Sequence, residues 1–165
     1  MDIVELLIES HGMLRGSLQD LTARMGAPSG VGWEDRVSLD LGSFSRQLKV
    51  FLAALKAHEA VEDAYLSRVV RQLGLNPDLD AAISEGRRSL GAMSALFETV
   101  VRVCDGEHVY GARTVLCLLS DELERHFVYE EKLVFPKLRD RLPAGLLREL
   151  GHRAQDRRKS AFSPA

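Results

Sequence analysis

The chain has 165 residues, with 22 Lys+Arg against 24 Asp+Glu for a formal charge of −2, and 45% of its residues are hydrophobic and 28% charged. A chain of this length buries roughly 70% of its unfolded surface, so a single domain needs neither a disulfide framework nor a metal for stability, and the composition excludes disordered and collagen-like classes. The balanced charge removes any global argument for binding a polyanion, and no nucleic-acid partner is expected.

The two cysteines, Cys104 and Cys117, form no CxxC pair and no disulfide framework, which fits a reducing compartment. The first ten residues carry Asp2, Glu5 and Glu9 where an export signal needs basic residues. Aliphatic runs such as Val115 to Leu119 are far too short to cross a bilayer, so a cytoplasmic protein with no membrane partner is expected.

Helical periodicity dominates the chain in order. Val4, Leu7, His11, Leu14, Leu18, Leu21 and Met25 step by three or four behind Asp2, a candidate N-cap, and the run ends at Gly26-Ala-Pro-Ser-Gly. From about Phe44 a second stripe runs through Leu48, Phe51, Leu55, His58, Glu62, Tyr65 and Val69 to Gly74. A third takes Leu79, Ile83, Gly86, Leu90, Met93, Phe97, Val100 and Cys104. A fourth takes Val115, Leu119, Leu123, His126, Glu130, Leu133 and Leu138, stopping before Pro143. A basic segment from Ala144 to about Lys159 follows as a short fifth helix. Short connections make consecutive helices antiparallel. The expected fold is all-α: an up-down-up-down four-helix bundle over residues 1–142, with a C-terminal helix and basic tail over 143–165.

The polar residues that interrupt these stripes carry the functional information. His11 breaks the first stripe, His58 and Glu62 the second, and His126 and Glu130 the fourth. Both pairs have the spacing HxxxE, which stacks imidazole and carboxylate one turn apart on one side of a helix. His11 lies about 14 residues before the first helix ends and His58 about 14 after the second begins, so both sit roughly 21 Å from that connection and should meet at one level.

Burying an ionised carboxylate costs several kcal/mol, on the order of that for any desolvated charge, and two at one level also repel. Two divalent cations, largely neutralised by Glu62, Glu130 and a solvent-derived bridging anion, compensate both effects, and a mixed imidazole and carboxylate set suits iron, manganese or zinc. The bland alternative is a metal-free cluster of protonated histidines and glutamates. Two HxxxE repeats on facing helices favour the metal.

The residues Ser10-His11-Gly12, the run HEAVED from His58 to Asp63 and the run HFVYEEKLVFP from His126 to Pro136 resemble the hemerythrin-like, or HHE cation-binding, family of four-helix bundles. The resemblance covers Asp2 to Arg141. It implies a non-haem di-iron centre in which His11 and His58 bind one iron, His126 the other, and Glu62 and Glu130 bridge. The family's usual third-helix histidine is absent. The stretch here reads Ile83-Ser84-Glu85-Gly86-Arg87, and Gly86 offers no donor. The resemblance then leaves three outcomes: water or substrate fills the gap, Glu59 supplies the bond, or one metal binds tightly.

Glu59 lies on the extended inner face with Leu52, Leu55 and Leu66 and resembles an extra carboxylate ligand in the iron-sensing hemerythrin-like domain of an F-box ubiquitin-ligase subunit. Tyr65, one turn beyond Glu62, is a candidate hydrogen-bond partner near the metals. Cys104 and Cys117 fall on apolar faces as small hydrophobes, and His108 and His152 lie outside every stripe. The expected function is an iron protein binding O2, NO or peroxide as a sensor, scavenger or iron-handling protein. A peroxidase, catalase-like or NO-reducing enzyme and a bundle with a partial or absent metal site are the alternatives. Oligomeric state is not legible in the residues.

Overall fold

A computed structural model of the chain describes residues 1–24, 41–72 and 109–162, together with scattered positions within 81–102, and the described residues contain helices and no strand. Helix α1 spans Ile3–Arg24. Its start is a reciprocal capping box: the Glu5 amide donates to Asp2 Oδ1 at 2.8 Å and the Asp2 amide to Glu5 Oε2 at 2.8 Å. Helix α2 spans Leu41–Glu62, passes through a π-helical turn at Asp63–Ser67 and continues as α3 over Arg68–Gln72. Helix α4 spans Val109–Tyr129, passes through a second π-helical turn at Glu130–Val134 and continues as α5 over Phe135–Arg141. Leu142 is extended (φ −103°, ψ 137°), the conformation forced on a residue before proline, and after Pro143 helix α6 runs over Ala144–Phe162.

The buried apolar residues fall into two clusters. One gathers Leu14, Leu18 and Leu21 of α1, Phe44, Leu48, Phe51 and Leu55 of α2, and Leu116, Leu119, Leu123 and Phe127 of α4. The other gathers Ile3, Val4, Leu6 and Leu7 of α1, Val61 and Leu66, Val134, Phe135 and Leu138, and Leu147, Leu150 and Ala154 of α6. Helix α1 passes from the second cluster into the first, whereas α2 and α4 pass from the first into the second. The latter two therefore run opposite to α1, against which both pack. His11, His58, Glu62, His126 and Glu130 are buried at the boundary between the clusters.

Helix α6 also packs on α1. Its Gly151 meets the start of the chain so closely that a Cβ there would stand 2.6 Å from the Met1 carbonyl oxygen and 2.9 Å from the Ile3 nitrogen. Tyr65 holds α6 from another side, donating from its hydroxyl to the Arg153 carbonyl oxygen at 3.2 Å. That contact directs the hydroxyl away from the role near the metals considered for it.

The π turns account for other departures from the sequence stripes. Their i→i+5 bonding adds a residue to the turn and shifts the inward line. Leu66 and Val134 are consequently buried, while Tyr65 is half-buried and Leu133 is 49% exposed. Cys117 is exposed rather than a buried hydrophobe, because the buried line of α4 runs through Leu116 and Leu119. Met25, the whole third stripe from Leu79 to Cys104 with Gly86, and His108 lie outside the described residues.

Candidate metal centre

The polar layer is closed to solvent: exposure is 0% for His11, 1% for His58, 4% for Glu62, 5% for His126 and 6% for Glu130. The predicted meeting of His11 and His58 is observed, with their Nε2 atoms 3.1 Å apart. His58 Nε2 stands 2.9 Å from Glu62 Oε1, and Glu130 Oε2 stands 3.3 Å from His11 Nε2 on one side and 3.3 Å from His126 Nε2 on the other. One ligand atom from each of His11, His58, Glu62 and Glu130 lies within 4.8 Å of all the others. Donors bound to one ion at about 2.1 Å stand about 3 Å from their neighbours. The observed spacings have that scale.

Several of these short contacts lack the alignment of hydrogen bonds. Glu62 Oε1, Glu130 Oε2 and His126 Nε2 are buried without a hydrogen-bond partner, as is His58 Nδ1. An orphaned buried polar atom costs about 1–3 kcal/mol. Two of these orphans, Glu62 Oε1 and Glu130 Oε2, belong to the group whose ligand atoms lie within 4.8 Å of one another, and this four-residue group can hold a metal.

The electrostatics point the same way. Burial pushes Glu130 well above the ordinary carboxylate range, and the charge of Glu62 adds to it. Burial would also raise Glu62, but His58 and His11 outweigh it and hold this carboxyl below its usual value. Two carboxylates in one dry layer do not both ionise without a cation. Burial lowers the His126 imidazole to about 4, against the pull of Glu62, so its ring is neutral and free to act as a ligand. Burial also opposes charging of His11, but Glu130 and Glu62 prevail and raise it.

His11 is the best-supported ring in the layer. Its Nδ1 donates to Glu131 Oε1 at 2.8 Å, and the same oxygen accepts from Arg15 Nη1 at 2.7 Å. Arg15 also donates from Nε and Nη2 to the Glu124 carboxylate at 2.7 and 3.2 Å. Phe127 stacks on the His11 ring at 4.1 Å between centroids and Phe135 at 5.6 Å. Burial tends to raise Glu131, but Arg15 and His11 outweigh it and keep it an acceptor. Sequence reasoning missed Glu131 and Arg15. The available signal was that Arg15 lies one turn from His11 and that Glu131 doubles Glu130.

The remaining candidates are placed as follows. His126 is not among the four converging donors and reaches them through Glu130. Glu59 is half-buried and does not join the group. Glu85 faces solvent and pairs with Arg88 at 2.7 Å. His152 is exposed, as its position off the stripes predicts. No helix among the described residues is long and apolar enough to cross a membrane. No family model matches the chain, and neither curated proteins nor solved structures give a match.

Proposed function

We propose that the chain is a hemerythrin-like non-haem iron protein, an up-down-up-down four-helix bundle that binds O2, NO or peroxide as a sensor, scavenger or iron-handling protein. The observation that carries this reading is the convergence of His11, His58, Glu62 and Glu130 within 4.8 Å in a dry layer between two apolar clusters. The common direction of α2 and α4 agrees with the bundle, because a bundle of this order has its second and fourth helices parallel. Imidazole and carboxylate together suit iron, manganese or zinc, and the resemblance of the HEAVED and HFVYEEKLVFP runs selects iron.

Bound iron would supply an open coordination position for a small diatomic or peroxide ligand. The chain's own contribution is to exclude water and to hold the donors. Phe127 and Phe135 cover His11, and Glu62 and Glu130 bring the negative charge that retains a cation without a surface ion pair. His126, whose Nε2 stands 3.3 Å from Glu130 Oε2, would be the donor to a second ion, as the resemblance implies.

The test is anaerobic reconstitution with Fe(II) and metal counting on wild type, His58→Ala and His126→Ala. At least one iron per chain in wild type, lost in His58→Ala, is expected, and less than one in wild type overturns the proposal. A fall from two irons to one in His126→Ala identifies the second position. Consumption of many equivalents of hydrogen peroxide per chain would move the reading from a binding protein to the enzyme alternative.

A further inference from the structure

His11 and His58 face each other through Nε2 but are held differently at the other ring nitrogen. His58 Nδ1 has no hydrogen-bond partner among the described residues. His11 Nδ1 instead bonds Glu131 Oε1 at 2.8 Å. Glu131 does not act alone: Arg15 Nη1 holds the same oxygen at 2.7 Å, and the guanidinium is fixed in turn by its fork to Glu124 and by lying 5.2 Å over the Phe127 ring. That ring stacks on His11. Edge and faces of one imidazole are therefore gripped by a chain that begins with the half-exposed Glu124 and ends in the buried layer.

A neutral imidazole offers one donor and one acceptor, and the partner of one nitrogen decides which nitrogen keeps the proton. Glu131 Oε1 already accepts from Arg15, so at that edge it acts as an acceptor and the proton sits on Nδ1. We propose that Glu131, held by Arg15, is a positioning residue for the metal site: it keeps the His11 proton on Nδ1 and turns a bare Nε2 toward the ion. A carboxylate behind a ligating histidine orients the ring and raises its basicity, and losing it typically lowers metal affinity by about 10–100-fold. The inference rests on the metal-binding reading of the cluster, but its structural half is visible without metal. His11 is thereby the fixed donor of the pair, and His58 the one that adjusts.

The experiment compares wild type, Glu131→Gln, Glu131→Leu and Arg15→Met. Glu131 has a quarter of its side chain exposed, and thermal melting of the metal-free proteins checks that both replacements at this position fold. In the metal-free proteins, nitrogen-15 NMR should show a slowly exchanging His11 Nδ1 proton in wild type and Glu131→Gln, whose amide oxygen still accepts, and its loss in Glu131→Leu. Anaerobic Fe(II) titration against a chromophoric chelator should show affinity weakened about 10–100-fold in Glu131→Leu, less in Glu131→Gln, and to an intermediate degree in Arg15→Met. A protected Nδ1 proton in Glu131→Leu, or wild-type Fe(II) affinity in that variant, overturns the positioning role. Wild type that binds no Fe(II) overturns the iron reading instead, and the proton signal alone then decides what Glu131 does.

Discussion

Among the individual side chains, His126 shows how a ligand-type residue resists its own environment. Its ring is buried, its Nε2 has no partner and its pKa is lowered to about 4. The unfolded chain has no such penalty and takes up a proton near 6.5. Unfolding therefore binds a proton at mildly acid pH, and the stability present above about 6.5 is lost as pH falls toward 4, amounting to about 3 kcal/mol in order of magnitude. Urea unfolding of the metal-free protein at pH 7 and pH 4.5 measures this loss, and in His126→Leu the pH dependence should flatten. The same variant should be more stable than wild type without metal, by about 1–3 kcal/mol, because it removes an unsatisfied buried nitrogen. It should also bind less iron. A substitution that improves the fold and damages the site is what a residue retained for binding produces.

The helices place these residues through two local devices that periodicity alone does not reveal. Each HxxxE pair ends where a π-helical turn takes over: Glu62 precedes Asp63–Ser67, and Glu130 opens Glu130–Val134. Such turns shift the phase of everything that follows, which is why Val134 rather than Leu133 continues the buried line. Deleting Leu133, which is half-exposed, should close the second π turn into regular helix while leaving α5 on its present face. The expected result is a folded protein by circular dichroism with weakened iron binding, and unchanged binding would show that the turn does not set the Glu130 carboxylate. The second device is the close approach of α6 to the chain start. A methyl group at Gly151 would meet backbone atoms of Met1, Asp2 and Ile3 inside 3.0 Å. Gly151→Ala should destabilise the protein by about 1–3 kcal/mol, read as a lower melting temperature with iron stoichiometry unchanged, since α6 contributes nothing to the polar layer.

Across the whole molecule, two apolar clusters enclose one polar layer, and burying these polar groups opposes folding. Anything that binds the folded layer alone must stabilise the whole chain. Free Fe(II) at one hundred times its dissociation constant should add about 2.7 kcal/mol, a rise in melting temperature of about 5–10 °C for a domain of this length, and a chelator should reverse it. Among the described residues, the first, second and fourth helices, most of their inward stripes and the level at which His11 meets His58 were legible in the sequence because they follow from a fixed rise and a fixed period along one helix. The HxxxE spacing likewise marked His58, Glu62, His126 and Glu130 before any fold was known. Tertiary structure alone decided what that period cannot carry. It set the phase after each π turn, left Glu59 out of the converging group, placed Cys117 in solvent, and bonded His11 to Glu131 across 120 positions of chain. Each of these depends on how one helix is rotated against another. That rotation is set by packing between distant segments, whereas the stripe on any one helix is set by residues within a few turns of one another.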